Sequence, residues 1–519
     1  MRCEDRNRFW NNSNGRRCGR PGYPLVTFES PDERVRDWFP SLLAVSEDKR
    51  AYGWEALEQH GKPGWTIVRS PKRWLKNAGP SSALEIAGQR FNMLLLMTEM
   101  MAALRRDLLE KSTLGAGKYD RLQAMLGVPA NANSNQRFLT QEAARAAGFE
   151  VLGLLNEPSA AAMEFAHRDS GDRKKRGRGG LLVYDLGGGT FDVSLVAMGE
   201  AEHSVIASDG VPDLGGDDFD EVLALLALAE AGRPAQGEES LTPAEWYLLF
   251  DECREKKESL NPNSRRITVD LERVRKTWGE VSIGADAFYD RCRPMVETSR
   301  QVAEGLLAAH PDHAIETLYL TGGGSELPSV ARVLRETFGR RVQRSAYMRS
   351  ATAIGLAIRA EGHEDVPLRD QFTKNFGVWR EADEGRNVVF DILFPRGVKL
   401  PSRGEEPLRI VRSYRPVHNI GYFRYLECAQ LGANDQPAGE ISNWDEIRVA
   451  FDPKLRNSAN LTDQPIRRYA PPQELVIEEE YTCDANGDVE VKIRDKITHE
   501  WNEFRLGRWS KHRKRMKQR

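Results

Sequence analysis

The segment LLVYDLGGGTFDVSLV, residues 181–196, constrains this chain more than any other. Two apolar runs flank three consecutive glycines, so the segment reads as strand, turn, strand. A turn on Gly187, Gly188 and Gly189 lets backbone N–H groups approach a phosphate closely. Asp185 at the strand end can hold a metal through water. Thr190 and Asp192 add oxygen ligands of the kind Mg²⁺ or K⁺ takes. The plainer alternative is a glycine-rich hairpin with no ligand.

A second cluster stands in LYLTGGGSELPSVARVL, residues 318–334. It reads as a strand, then Gly322, Gly323 and Gly324, then a helix opened by Ser325 with Pro328 in its first turn. A helix N-terminus reached through glycines is an anion site. Neither cluster fits the Walker or the dinucleotide fingerprint. Two phosphate-type loops far apart in sequence imply one nucleotide held between two lobes.

From about 23 to 360, short β-rich runs alternate with helical ones, which argues for α/β architecture with helix-covered sheets. PLVTFES, SLLAVSE, AMLGVPA, GLLVYDL, FDVSLVAM, HSVIASD and TLYLTGG read as strands. LTQEAARAAG, PSAAAMEFAHR, FDEVLALLALAEA, AEWYLLFDECREKKESL and PSVARVLRETFG read as helices. Beyond about 365 the character changes to strand-like segments separated by Gly, Pro, Asn and Asp turns. This predicts an all-β module, with DANGD as a tight hairpin turn. The predicted organisation is an N-terminal segment 1–22 without order, an α/β domain 23–364, a β-rich domain 365–504 and a basic tail 505–519.

Among the 519 residues, 75 Lys and Arg stand against 77 Asp and Glu, so net charge directs the chain neither to nucleic acid nor to membrane. The last fifteen residues hold eight of those cations; the other 67 face all 77 acids. That tail suits contact with RNA, ribosomes or acidic lipid, or is simply a solubilising terminus. Six scattered cysteines without a C-x-x-C pair argue for reduced thiols and a cytoplasmic location. The apolar stretch 91–104 continues into RRDLLEK with helical periodicity and reads as a buried amphipathic helix.

Four segments carry a resemblance: VPANANSNQRFLTQEAARAAGFEVLGLLNEPSAAA (128–162), YDLGGGTFDVS (184–194), DLGGDDFDE (213–221) and LTGGGSELPSVARVL (320–334). Together they are similar to the nucleotide-binding domain of the heat-shock-70 (DnaK-type) chaperones, in that family's order and spacing. The resemblance implies an actin-like fold of two lobes closing over ATP or ADP with Mg²⁺, and possible use of K⁺. It places Lys72 at the catalytic lysine, Glu157 at the carboxylate that orients water and cation, and Asp185, Thr190 and Asp192 around the metal. Gly187, Gly188, Gly189, Gly215, Gly216, Gly322 and Gly323 become nucleotide contacts, and Lys257 an adenosine contact. Pro129 and Arg137 match a pair that relays nucleotide state between domains. More weakly, LFPRGVKLP (393–401) and YTCDANGDVEVKIRD (481–495) are similar to the family's β-sandwich for extended peptides. The family's interdomain linker is not clear in 361–375, and its helical lid is absent.

Three departures gather on the adenine side. Arg254 replaces a glutamate, Glu326 an arginine that stacks on the base, and Arg349 an aspartate. The family's first phosphate loop has no counterpart in MRCEDRNRFWNNSNGRRCGRPG. Codons permitted by Asp5 through Gly19 read T-G-I-D-F-G-T-T-Q-T-A-V-A-V-A one nucleotide out of frame, which supplies that loop. The leading expectation is an ATP-hydrolysing chaperone for unfolded or extended polypeptides, working with a J-domain co-chaperone and a nucleotide-exchange factor. Its alternative is a catalytically impaired, nucleotide-gated binding module. A small-molecule kinase on the same fold is disfavoured by NEPSAAA, LGGDDFD and the β-module. Sequencing the DNA and transcript across codons 1–22 is expected to reveal a one-nucleotide offset; a gene that reads as written removes the frame explanation.

Overall fold

Strands in this chain are apolar on successive residues where both faces are covered and alternate where one face is, and the two patterns fall in different parts of the molecule. The computed structural model describes residues 6–7, 9–10, 23–31, 33–69, 75, 82–117, 119–130, 132–169, 179–233, 241–362, 366–383, 386–402, 404–456, 460–468, 470, 475–506 and 514–517. They fall into two compact units, 1–132 with 139–368, and 133–138 with 369–519.

The first unit begins with an antiparallel sheet of β1 (Leu42–Val45), β2 (Arg50–Tyr52) and β3 (Thr66–Arg69), in the order β2-β1-β3. The buried helix α1 follows (Met93–Glu110), with Asn92 capping it through Leu95 N. Next come β4 (Gln123–Val128), α2 (Ser134–Ala146), β5 (Glu150–Asn156) and α3 (Glu157–Asp169), with β4 and β5 parallel. The central elements are β6 (Gly180–Leu186), β7 (Phe191–Met198), β8 (His203–Val211), α4 (Gly216–Glu230) and α5 (Pro243–Glu258). A hairpin of β9 (Arg266–Asp270) and β10 (Glu280–Gly284) leads into α6 (Ala285–Ala308). The unit continues through β11 (Ile315–Thr321), α7 (Pro328–Phe338), β12 (Val342–Arg344) and α8 (Ala351–Glu361).

The main sheet runs β12-β11-β6-β7-β8. β6 and β11 are parallel, whereas β6 and β7 form an antiparallel hairpin. Leu182, Tyr184 and Leu186 enter one core with α4, α6 and α7. Leu181 and Val183 enter another with α3 and α8. That double burial explains the unbroken apolar run, since a strand covered on both faces has no polar side.

Sequence periodicity located many of these elements but missed β2, β3, β5, β9, β10, α6, β12 and α8. PLVTFES is two short strands, Leu25–Val26 and Phe28–Glu29, interrupted at Thr27, whose N–H donates to Thr113 Oγ1 at 2.9 Å. The β9–β10 hairpin was not anticipated. Nor was α6, whose interior Pro294 masks the buried sequence Phe288, Cys292, Val296, Ser299, Ala303 and Leu306. In the N-terminal segment 1–22, Arg6–Asn7 pairs with Phe39–Pro40 and Phe9–Trp10 with Leu25–Val26; its other residues lie outside the described set.

In the second unit, β13 (Asn375–Ala382), β14 (Asn387–Phe394), β16 (Ile420–Leu431) and β17 (Pro437–Ala450) form a sheet of order β14-β13-β16-β17. A second sheet holds β15 (Leu408–Tyr414), β18 (Ile477–Cys483), β19 (Val489–Asp495), β20 (Glu500–Arg505) and β21 (Lys514–Lys517). β18 and β19 bury alternate residues, and one core joins Phe376, Val378, Phe423 and Tyr425 to Ile477, Tyr481, Val491 and Ile493. A charged chain crosses it. Arg380 binds Glu479 with both terminal nitrogens, at 2.6 and 3.2 Å, and Asp391 with Nε at 2.6 Å. Arg412 grips Asp391 at 2.9 and 3.0 Å. The DANGD turn is wider than expected: only Gly487 takes a positive φ, 77°, while the Asp484 carboxylate accepts from the Asn486 and Asp488 N–H groups. Cys253, Cys292, Cys428 and Cys483 are buried free thiols; Cys3 and Cys18 lie outside the described residues.

Helix α5, which carries several candidate site residues, has a capping box. Thr242 N–H donates to Glu245 at 2.8 Å, Glu245 N–H donates to Thr242 Oγ1 at 3.3 Å, and Pro243 sits at the first position. Arg275 adds bonds of 2.6 and 3.0 Å to the same carboxylate. The Arg275 guanidinium, aided by Thr242, draws the Glu245 carboxyl from 4.5 down to about 2. A depressed carboxyl stabilises the fold above its unfolded value and loses that contribution as pH falls through its folded value. Glu245→Gln is therefore expected to destabilise the fold near neutral pH by up to about 1 kcal/mol for a partly exposed pair, seen as a lower melting temperature. It should also flatten the loss of stability between about pH 4.5 and about pH 2; an unchanged acid slope in thermal melts counts against this role.

Candidate functional site

The C-terminal ends of parallel neighbours β6 and β11 lie side by side, with Asp185 in register with Thr321. In sheets of this kind that edge is where ligands bind. Both glycine clusters follow these ends, so residues far apart in sequence meet. A β-carbon at Gly322 would overlap Leu186 O and Asp185 Oδ1, and its φ of 84° is left-handed, so two constraints select glycine there. The third turn joins them: Gly216 N–H donates to Gly187 O at 2.9 Å and Asp217 N–H to Gly188 O at 2.8 Å. A β-carbon at Gly215 would overlap Gly188 O.

The Gly187–Thr190 turn is closed by Gly187 N–H donating to Thr190 O at 2.9 Å. Among the described residues, the half-buried Gly188 and Gly189 N–H groups have no backbone acceptor, as an anion cradle requires. Asp185 and Asp192 are buried and directly opposed on β6 and β7, and Thr190 Oγ1 donates to Asp192 at 3.3 Å. Opposed residues on such a pair have β-carbons about 5 Å apart, so two carboxylates share one face. Among the described residues no three His, Cys, Asp or Glu side chains cluster tightly enough for an all-protein metal site. Two carboxylates suit Mg²⁺, which keeps several waters and takes phosphate oxygens as further ligands.

The second cluster differs from its expected form in one respect. Gly323–Glu326 is a 3₁₀ turn containing the buried Ser325, and α7 begins only at Pro328 behind Leu327, so Ser325 does not cap the helix. Gly324 faces the β6 turn, where a β-carbon would meet Gly187 O and Leu186, while Gly323 faces Arg349; neither lies at an α-helix N-terminus.

Beside the glycine turns stands a polar wall from α5. Lys257 Nζ donates to Gly216 O at 2.5 Å and pairs with Asp220 at 2.7 Å, with Arg254 farther from the same carboxylate at 3.9 Å. Burial pushes the Asp220 carboxyl upward; Lys257 and then Arg254 oppose that. The departures at 326 and 349 prove to be partners. Arg349 Nε donates to Glu326 at 2.6 Å, its Nη2 reaches the same oxygen, and its Nη1 bonds Glu258 at 3.1 Å. Burial pulls this guanidinium down, but Glu258 and Glu326 more than compensate, so it stays charged. Sequence reading did not connect these three; opposite-sign departures at 326 and 349 were the available signal.

Other candidates are dispersed. Glu157 is fully buried at the start of α3, its Cγ 3.4 Å from the β-carbon position of Gly127 on β4. Pro129 directly follows β4. Arg137 falls with the second unit, where its Nη2 donates to Asn486 O at 3.1 Å. Lys72 lies outside the described residues, as do 170–178 in the basic loop.

Converging glycine turns, a buried carboxylate pair and a charge-balanced wall mark an α/β protein whose candidate site lies at a sheet edge. The family model described as Hsp70 protein matches residues 76–373, and the chain belongs to the Hsp70 family. It is 33% identical over 329 residues to proteins named Chaperone protein DnaK from Thermotoga petrophila and Thermotoga maritima, covering 58% of this chain and 53% of theirs. A DnaK of Thermosipho africanus is 31% identical over 361 residues, covering 64% of this chain and 57% of that relative. The chain thus spans about half the length of the curated relatives it matches. Among the described residues no helix is long and apolar enough to cross a membrane.

Gly322→Ala tests the convergence. Steric overlap with Leu186 O and the left-handed backbone are together expected to cost about 2–4 kcal/mol in urea unfolding. Ala at half-buried Gly279, where a β-carbon meets nothing within 4 Å but φ is also positive, at 64°, controls for backbone strain alone and should cost about 1 kcal/mol. Equal costs at the two positions would dismiss close packing at the site.

Proposed function

We propose that this chain is a nucleotide-controlled molecular chaperone of the Hsp70 type. In this reading residues 23–364 are an actin-like, two-lobed ATPase domain and residues 365–504 a β-sandwich for unfolded or extended polypeptides, with 505–519 a basic tail. The observation that carries it is the meeting of three glycine turns over the Asp185–Asp192 pair, which suits a polyphosphate with its cation. The relatives' name, Chaperone protein DnaK, supports the chaperone role, and the buried free thiols among the described residues suit a cytoplasmic setting.

The residues divide the work as follows. The N–H groups of the 187–189 and 322–323 turns hold phosphate oxygens, while Gly215 and Gly216 bring α4 close. Asp185 and Asp192 orient the water shell of the cation, with Thr190 holding Asp192 in place. Bound Mg²⁺ supplies neutralisation of phosphate charge. Lys257 lies toward the nucleoside, Lys72 near the terminal phosphate, and Glu157 orients the attacking water, so catalysis is positioning and charge stabilisation. Pro129 and Arg137 relay nucleotide state, and a J-domain co-chaperone and an exchange factor set the cycle's pace.

A second reading, nucleotide binding without turnover, has its own observation. Among the described residues, the β1–β3 sheet and the β4–β5 pair share no strand, so neither is joined to the other across a common ladder. Calorimetric binding of ATP with and without Mg²⁺, beside phosphate release, separates the two. The wild type is expected to bind MgATP and release phosphate, and Asp185→Asn to weaken Mg²⁺-dependent binding by about 10- to 100-fold. Binding without release selects the second reading, and no binding overturns both.

A further inference from the structure

Strand β11 ends on a buried hydroxyl, that of Thr321. Its side chain is fully enclosed, and among the described residues its Oγ1 has no hydrogen-bond partner. Every other hydroxyl on the main-sheet strands is paired, as Ser194 is with Ser208 at 2.6 Å, Tyr184 with Ser299 at 2.5 Å and Tyr319 with Glu164 at 2.5 Å. A buried hydroxyl without a partner loses hydration and gains nothing, and valine would fill the same space without that penalty. Position accounts for the exception. Leu318 and Leu320 enter the core with α4, α6 and α7, while Tyr319 enters the core with α3 and α8, so alternation turns Thr321 to the second face. Asp185 lies between Tyr184 and Leu186, and Asp192 between Phe191 and Val193, all four in the first core, so both carboxylates share the face of Thr321. On the neighbouring strands β7, β6 and β11 the three side chains form one row, Asp192, Asp185 and Thr321, at the end where the glycine turns meet.

We infer that Thr321 is a positioning residue for the cation of the nucleotide site: its hydroxyl takes a water of hydrated Mg²⁺ and lengthens the Asp192–Asp185 pair into a row of three oxygen-bearing side chains. The inference rests on the nucleotide-binding reading above and deepens it. Neighbouring strands stand about 4.8 Å apart, a gap that one water spans with hydrogen bonds of about 2.8 Å on either side. Mg²⁺ sheds its waters reluctantly, so side chains that orient those waters help to hold the ion. A hydroxyl suits the third place because it can accept or donate and carries no charge. A third carboxylate there would add repulsion toward the phosphates. The unpaired hydroxyl weakens the unliganded fold, and that penalty is offset once cation-bound water reaches it. Stability and binding therefore pull in opposite directions at this one residue.

The test is calorimetry of ATP on the full chain, with Mg²⁺ and with the metal chelated, beside thermal melts of the unliganded protein. Thr321→Val, which exchanges the hydroxyl for a methyl group of the same size, is expected to raise the unliganded melting temperature by about 1–2 °C. The same variant should weaken ATP binding in Mg²⁺ about 3- to 10-fold and leave metal-free binding unchanged. Thr321→Ser keeps the hydroxyl and should hold the Mg²⁺-dependent affinity within about twofold of wild type. If the valine variant fails to fold, Thr321→Ala is measured against Thr321→Ser by the same ratio of affinities with and without Mg²⁺. A ratio unchanged in the variant without the hydroxyl overturns the assignment, because the group is then only a packing element. Equal weakening with and without Mg²⁺ also overturns it, as does a serine variant that loses as much as the valine one. Wild-type protein whose ATP affinity ignores Mg²⁺ removes the role of Thr321 while the phosphate site stands. Wild-type protein that binds no ATP overturns the nucleotide reading and this inference together.

Discussion

The first unit depends on one constraint: β6 is covered on every side. Its backbone is paired by β7 and β11, and its side chains enter two different cores. The strand therefore has a single open direction, its C-terminal end, and the polar residues follow from that. Asp185 and Asp192 sit where apolar packing stops, and the glycines follow because three turns must crowd the same end. Side chains larger than hydrogen would push those turns apart and leave buried backbone groups unsatisfied, which costs more than glycine's conformational entropy.

The second unit solves its packing differently. Its strands alternate, one face inward, yet Glu479 occupies an inward position on β18 between Ile477 and Tyr481. A lone buried carboxylate is prohibitively costly, so Arg380 reaches it from the opposite sheet, and Asp391 and Arg412 complete a neutral chain of four. Such a chain contributes little net stability over apolar residues of the same shape, but it tolerates few alternative registers. A one-residue slip would strand a charge in the core.

Legibility in the sequence followed from whether a signal was local. The β6–β7 hairpin, the body of α5 and the α7 run were readable because glycine and periodicity act over a few positions; the Thr242 cap of α5 was not read. Helix α6 was lost because Pro294 outweighed a buried stripe at helical spacing, although the proline faces solvent and the stripe does not. Ser325 looked like a cap because it stands three residues before a proline. Only backbone geometry distinguishes a 3₁₀ turn from the first turn of a helix there. The meeting of Gly215, Gly188 and Gly322 is a tertiary event, and single-chain patterning cannot express it. Resemblance supplied the set of residues, whereas the Arg349 clamp ran against it and needed coordinates.

Helix α5 has sixteen residues, and at 1.5 Å per residue spans about 24 Å. Arg275 fastens one end at Glu245, Arg273 grips Glu252 and Glu255 along its length, and Lys257 and Glu258 extend from the other end. Both arginines lie in the connection between β9 and β10, so this hairpin holds the helix as a hand holds a lever. A tilt of about 3° at the fastened end moves the far end by about 1 Å, a displacement on the scale that decides whether catalytic groups are aligned. A hairpin remote from the glycine turns thereby gains mechanical purchase on them, and anything that seizes it from outside also grips the site.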